Sequence, residues 1–368
     1  MPMNHYCTYF DRGFLAQGLA MWRSLATNDP DSVLWVLALD DFTAEVLRNV
    51  GGTWLRVILL RELEHDDEML AAAKANRSRI EYYFTLSPCW PRWLLARRRE
   101  IDRLTYVDAD LFFFGDPGVL FEEMDARGAS VAITAHRFPT WLQHYQQHGC
   151  FNVGILSWRR DAAGLGCLED WRQRCLEWCY DRLEPDRYAD QKYLEQWPAM
   201  LGPRLLVLEH PGVNLAPWNW AGHTVHVGPA ASRRPARGAS RRGTEASPVS
   251  IDGHPLLVFH FARFRPIRGT WWWQSGQLDY GVMPWRLRQA VYGPYWEALC
   301  AARSEIRQRR PDFDFPRGTR LGREFWHALP LRLIFGSDWL RIGRIFVSGR
   351  AGVGRWSGRV LAALRRLR

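Results

Sequence analysis

Residues 104–113 read Leu104-Thr105-Tyr106-Val107-Asp108-Ala109-Asp110-Leu111-Phe112-Phe113. An apolar run ends in two carboxylates one residue apart, and apolar residues resume at once. The run Leu104–Val107 reads as a short buried strand with Asp108 and Asp110 at its end. Side chains at i and i+2 share a side there, so both carboxylates can turn toward one divalent cation. Hard oxygen ligands suit Mn²⁺ or Mg²⁺, and such an ion can bridge a diphosphate. A polar turn that only caps a strand has the same local pattern, so the surrounding sequence has to decide.

Upstream, β-like and helical runs alternate. His5–Phe10 reads as a strand, Leu15–Leu25 as a helix, Val33–Leu39 as a strand buried on both faces, Thr43–Val50 as a helix and Thr53–Leu60 as a strand. Helical character then runs from Asp66 to Arg99, with breaks expected at Ser87-Pro88 and at Pro91. Downstream, helix Val119–Asp125, strand Ala129–Thr134 and strand Cys150–Trp158 follow. Helices are expected at Asp161–Arg182, Ala189–Trp197 and Pro284–Arg309, and a hairpin turn at Ile251–His254 leads into strand Leu256–Phe261. This alternation predicts an α/β fold with a mainly parallel sheet between helices, its ligands lying beyond the carboxyl ends of the strands.

The 368 residues are ordinary globular material, with 47% apolar and 24% charged residues. That composition excludes a wholly disordered or membrane-embedded chain. Of the 49 basic residues only Lys74 and Lys192 are lysines, and the excess is localised. From Thr319 onward there are eleven arginines against Glu324 and Asp338, and Pro229–Pro248 holds five arginines against Glu245. The remaining body is close to neutral, which argues against a nucleic-acid-binding surface. The seven cysteines include no CxxC pair, and Cys167, Cys175 and Cys179 read as buried thiols in a helical stretch. The first residues lack a basic region followed by an apolar run, and no stretch of about 18 apolar residues occurs. The expectation is a cytoplasmic protein with reduced thiols.

Four segments stand in order along the chain: Tyr106-Val107-Asp108-Ala109-Asp110 with Gly115-Asp116 behind it, Phe151-Asn152-Val153-Gly154, Asp190-Gln191, and His260-Phe261. In order and rough spacing, from His5 to Pro266, the chain resembles the nucleotide-sugar-dependent GT-A glycosyltransferases, most closely glycosyltransferase family 8 and its bacterial relatives. The resemblance implies a GT-A, Rossmann-like domain over residues 1–283, within which the low-complexity Arg-, Ser-, Gly-, Ala- and Pro-rich composition of 229–248 reads as a mobile insertion. A helical extension, 284–318, and a basic, aromatic, amphipathic tail, 319–368, then follow. It also implies that Asp108, Asp110 and His260 hold Mn²⁺ or Mg²⁺. Asp190 and Gln191 become the catalytic positions near the anomeric carbon, and Tyr9, Asp11, Asn152 and Arg265 become donor-binding positions. Asn152 could equally fix a backbone turn, Asp190 could equally be a helix N-cap, and Tyr9 could equally be core.

Two departures stand out. The family's arginine before a Leu-x-Pro segment is Thr85 here, with Arg77 and Arg79 nearby to compensate. After its histidine this chain reads His260-Phe261-Ala262-Arg263-Phe264-Arg265-Pro266, with Arg263 where the family has glycine.

The implied reaction is metal-dependent transfer of a sugar from a nucleotide diphosphate, a UDP-sugar favoured, to a hydroxyl of a saccharide or lipid-linked acceptor, with retention. No carboxylate is identifiable as a nucleophile, so front-side displacement and a covalent intermediate both stay open. The alternatives are a sugar nucleotidyltransferase and a catalytically silent nucleotide-sugar or lipid-binding protein. The segment His210–Trp220 and Trp271-Trp272-Trp273 suit either a carbohydrate surface or a tryptophan-rich core. The tail mixes its arginines with Leu, Ile, Phe and Trp, a composition suited to peripheral contact with an anionic membrane.

Overall fold

The computed structural model describes residues 3–52, 54–228, 247–268, 271–274, 277–313, 339–342 and 345–347. Of the insertion expected at 229–248 all but Ser247 and Pro248, and most of the tail expected at 319–368, lie outside the described residues.

Eight strands build the first part: β1 His5–Phe10, β2 Val33–Ala38, β3 Leu55–Leu59, β4 Arg103–Val107, β5 Leu111–Phe113, β6 Val131–Ala135, β7 Phe151–Arg159 and β8 Leu205–Leu208. Among the described residues, seven of them form one sheet in the order β3-β2-β1-β4-β7-β6-β8. Neighbours β3, β2, β1 and β4 run parallel, as do β6 and β8. Strand β7 runs antiparallel to both β4 and β6, so the sheet is mostly, not wholly, parallel. The period-2 pattern of a strand explains the two layers. Strand β2 sends Leu34 and Val36 into one core and Val33, Trp35 and Leu37 into the other. Helices Leu15–Asn28 and Trp285–Arg309 cover the first face, and helices Arg79–Arg97 and Ala162–Glu177 cover the second. The result is a layered α/β architecture, a mostly parallel sheet between helices, with a C-terminal helix added to one face.

Helix Arg79–Arg97 passes through Pro88 and Pro91, where a break was expected. Each proline forfeits a helical bond and costs about 3 kcal/mol. Burial of Tyr82, Leu86, Trp90, Leu94 and Leu95 offsets this, at about 1.5–3 kcal/mol for each large apolar side chain. Reciprocal capping by Ser78 and Glu81 fixes the first turn, and Arg92 Nε donates to Glu169 Oε2 at 2.6 Å across the helix pair. Helix 162–177 stops five residues short of the expected Arg182. The hairpin turn is present, with Asp252 and Gly253 both at positive φ, 49° and 83°. In the tail, the described segments Trp339–Ile342 and Ile345–Val347 are strands. They extend a hairpin made by Phe264–Arg268 and Trp271–Gln274.

Candidate metal and nucleotide site

The site begins where β4 ends. Main-chain pairing of β4 with β7 sets Val107 opposite Ile155, so the next residues, Asp108 and Gly154, meet, and Asp108 N–H donates to the Gly154 carbonyl at 3.0 Å. The chain turns through Ala109 and Asp110 into β5, which pairs antiparallel with Val258–His260, Leu111 opposite His260. Phe261 N–H donates to the Asp110 carbonyl at 2.9 Å. Two short stretches about 150 residues apart thereby place one imidazole between two carboxylates. His260 Nε2 lies 3.2 Å from Asp110 Oδ1 and 3.6 Å from Asp108 Oδ2.

One ligand atom from each of these three side chains falls within 4.8 Å of the others. Among the described residues this is the one group of His, Cys, Asp or Glu close enough to share an ion. Two hard oxygens and one imidazole nitrogen fit Mn²⁺ or Mg²⁺. Tyr106 donates its hydroxyl to Asp108 Oδ1 at 2.7 Å, which orients that carboxylate. Burial opposes charging of His260, but Asp110 and then Asp108 outweigh it, and its pKa is raised. Without an ion the imidazolium itself can neutralise the carboxylates, and ion and proton compete for the same place.

From the triad a cleft of about 670 Å³ runs along the end of β1. Tyr9, Asp11, Arg12, Phe14, Arg79 and Tyr83 line it together with Asp108 and Asp110. The sequence-derived positions Tyr9, on β1, and Asp11, just after it, are therefore both in the cleft, in different states. Tyr9 donates its hydroxyl to the Tyr83 carbonyl at 2.8 Å and lies 3.0 Å from Ser87 Oγ, so its polar end is already committed. Asp11 accepts from Gly13 N–H at 2.7 Å, from the Tyr83 hydroxyl at 2.9 Å and from Arg79. Of the two arginines near Thr85, Arg79 faces the cleft. Arg77 is turned away and bonds Tyr180 and the carbonyls of Leu176 and Glu177. The exposed apolar side chains at the cleft mouth are Phe14 and Ile80.

Of the other sequence-derived positions, Asp190 and Asn152 lie near the triad. Asp190 is buried, follows Ala189 at φ 46°, and its carbonyl accepts from Trp171 Nε1–H at 2.8 Å. Its carboxyl pKa is raised to about 7, chiefly by burial. A Ser87 hydrogen bond works against the shift and Asp108 adds to it. Gln191 donates its amide to the His148 carbonyl at 3.0 Å. Asn152 has its amide oriented inside the protein, Oδ1 accepting from Gly154 N–H at 3.0 Å and from Asn214 Nδ2 at 3.1 Å, with Nδ2 3.3 Å from His136 Nε2. Arg265 is exposed on the strand Phe264–Arg268 and is not among the residues lining the cleft.

Residues that sequence reading missed complete the wall behind His260. His136 is buried, and burial drives its pKa down to about 3, so it is neutral. Its carbonyl accepts from Trp218 Nε1–H at 3.1 Å and from Asn219 Nδ2 at 3.0 Å. Asn214 sits at φ 57° and donates to Thr134 Oγ1 at 2.9 Å. The density of Asn and Trp in His210–Trp220 was the one signal pointing here. The side chains of Trp271, Trp272 and Trp273 lie outside the described residues.

No protein-family profile matches the chain. It is 31% identical over 266 residues to the uncharacterized protein YfnF of Bacillus subtilis (strain 168), covering 71% of this chain and 81% of that one. It is 28% identical over 320 residues to the uncharacterized protein YfnD of the same organism, covering 85% and 94%. Among solved structures it is similar to mouse xyloside xylosyltransferase 1 in its apo form, with 18% identity, a TM-score of 0.44, and coverage of 72% of this chain and 99% of that one.

Proposed function

The chain belongs to the family of the Bacillus subtilis protein YfnF, and from that premise and the geometry of the site we propose that it is a metal-dependent glycosyltransferase. The donor is a nucleotide diphosphate sugar, a UDP-sugar favoured. The acceptor is a hydroxyl of a cell-surface glycan or lipid-linked saccharide, and the outcome is retention at the anomeric carbon. One observation carries this reading: Asp108, Asp110 and His260 converge within 4.8 Å, and the two carboxylates line a cleft that also contains Tyr9, Asp11 and Arg79.

Asp108, Asp110 and His260 would hold Mn²⁺ or Mg²⁺, which would supply positive charge to stabilise the leaving diphosphate. The chain's own groups do the rest. The cleft wall of Tyr9, Phe14, Ile80 and Tyr83 takes the nucleoside and excludes water from one side. Arg79, at the exposed mouth, can exchange its bond to Asp11 for one to the donor. Asp190, buried and electrostatically coupled to both Tyr9 and Asp108, stands on the reacting side, with Gln191 beside it. Asp11 and Gly13 close the loop after β1 on a carboxylate, a poor cradle for the phosphates of a nucleotidyltransferase. No helix among the described residues is long and apolar enough to cross a membrane. The protein acts in the cytoplasm, and its basic tail makes the peripheral contact with anionic lipid.

The test is a panel of nucleotide sugars incubated with the protein, with Mn²⁺ or with excess chelator, and read by mass spectrometry. Metal-dependent hydrolysis of one donor supports the reading. Nucleotide binding without turnover of any donor favours the silent binding protein.

A further inference from the structure

His260 presents Nε2 to the carboxylates, so Nδ1 points away from them. A metal-binding histidine usually has its second nitrogen held by a carboxylate, carbonyl or water, which fixes the ring. Here the buried Nδ1 has no hydrogen-bond partner among the described residues. On the side away from the carboxylates the ring is therefore held by packing, and two contacts supply it. Underneath lies Gly154, where a Cβ would stand 2.9 Å from His260 Nδ1 and 2.6 Å from Asn152 Oδ1, so the imidazole rests directly on bare backbone. Beside it stands Trp218, its ring centroid 5.1 Å from that of His260 at an interplanar angle of 74°, the edge-to-face arrangement that aromatic rings prefer.

Trp218 is itself held. Its indole N–H donates to the His136 carbonyl. Its neighbour Asn219 donates to that carbonyl and to the Asn214 carbonyl at 3.1 Å, and accepts from Ala216 N–H at 2.8 Å. With only 8% of its surface exposed, Trp218 has too little free face to stack on a sugar. We propose that Trp218 is a positioning residue for the metal site: it holds the His260 imidazole in its ligating attitude in place of the missing hydrogen bond on Nδ1. The proposal rests on the metal reading above and adds to it a residue that touches neither ion nor donor.

Mn²⁺ binding, followed by electron paramagnetic resonance of the free ion, tests it on four proteins: wild type, Trp218→Phe, His260→Ala and the double variant. Trp218→Phe is expected to weaken Mn²⁺ binding about ten-fold, the lower end of what loss of such support costs. It should cause no further loss when His260 is already alanine. Trp218→Tyr, which keeps a ring of intermediate reach, checks the result if the phenylalanine variant folds poorly, and should fall between wild type and Trp218→Phe. Unchanged Mn²⁺ affinity in a folded Trp218 variant overturns the proposal, as does a loss of the same size with and without His260. If His260→Ala itself leaves Mn²⁺ affinity unchanged, the metal reading fails first, and the proposal with it.

Discussion

The two sides of the site are built differently. The cleft side comes from β1 and the first turns of helix Arg79–Arg97, regular elements whose side chains reach outward and stay partly exposed at the mouth. The wall behind His260 is assembled from irregular segments around Thr134–Phe138, Asn152–Gly154, His210–Trp220 and Val258–Phe261, and it is closed by buried amides and rings. Among the described residues five non-glycine positions have positive φ, and four of them, Arg137, Ala189, Asn214 and Arg263, adjoin this second wall or the Asp190 segment. Backbone in that region costs of order 1–3 kcal/mol per residue, unless the residue is one such as Asn that tolerates it. The first wall can therefore vary its side chains at little cost in stability, whereas the second is a fitted assembly. Donor preference is expected to reside in the first and metal geometry in the second.

Substitutions can break that contrast. The largest effect belongs to the triad. Asp110→Asn should lower donor turnover by about 10²–10³-fold, the scale of losing one charge-stabilising group, with an unchanged melting temperature by circular dichroism. Full turnover by that variant would remove Asp110 from the metal site.

Next is Asp190, whose folded pKa of about 7 lies above the ordinary value of 3.8. Folding therefore favours its protonated form, and its stability contribution is fully present below pH 3.8 and lost as pH rises through 7. Three units correspond to at most about 4 kcal/mol. Asp190→Asn should accordingly gain in melting temperature relative to wild type as pH rises from 5 to 8, while its turnover falls. A difference in melting temperature that stays flat with pH would show that Asp190 is ionised throughout.

His260 gives the opposite dependence, on binding rather than on stability. Its raised pKa means that a proton occupies the ligand nitrogen up to higher pH than in free histidine. Mn²⁺ affinity measured by calorimetry should therefore be weaker at pH 6 than at pH 8, and His260→Ala should flatten that slope.

The smallest effect is expected at the cleft mouth. The Arg79 side chain is 73% exposed, and such ion pairs contribute about 0–1 kcal/mol. Arg79→Gln should leave the melting temperature nearly unchanged and raise the KM for the donor several-fold with little change in kcat. A loss of kcat with unchanged KM would place Arg79 in the chemistry instead.

The same contrast governs what the sequence could reveal. The strands around β1, β2 and β4 and the Asp108–Asp110 pair were legible because their signals are local: apolar runs, period-2 burial and a carboxylate pair at a strand end. The passage of helix 79–97 through Pro88 and Pro91 was not, because packing of Trp90 and Leu94 against a helix some 80 residues away decides it. Arg77 and Arg79 could not be told apart from sequence: Arg77 lies in extended backbone before the Ser78 cap and turns to Tyr180, whereas Arg79 opens the helix and turns to Asp11. Asn152 was read as facing donor or fixing backbone, and its bonds to Gly154 and Asn214 match the second alternative. His136 gave no local signal, and Trp218 only the Asn- and Trp-dense segment around it, because their places depend on carbonyl bonds made across 82 and 83 residues.

The central claim is that Asp108, Asp110 and His260 form one divalent-ion site that serves the donor. It is tested most directly by titrating Mn²⁺ into the 368-residue chain with UDP present, following the free-ion resonance, and repeating with Asp108→Asn/Asp110→Asn. The account predicts one Mn²⁺ taken up per wild-type chain and none by the double variant. Equal uptake by both proteins, or none by the wild type while it still hydrolyses a nucleotide sugar, would contradict it.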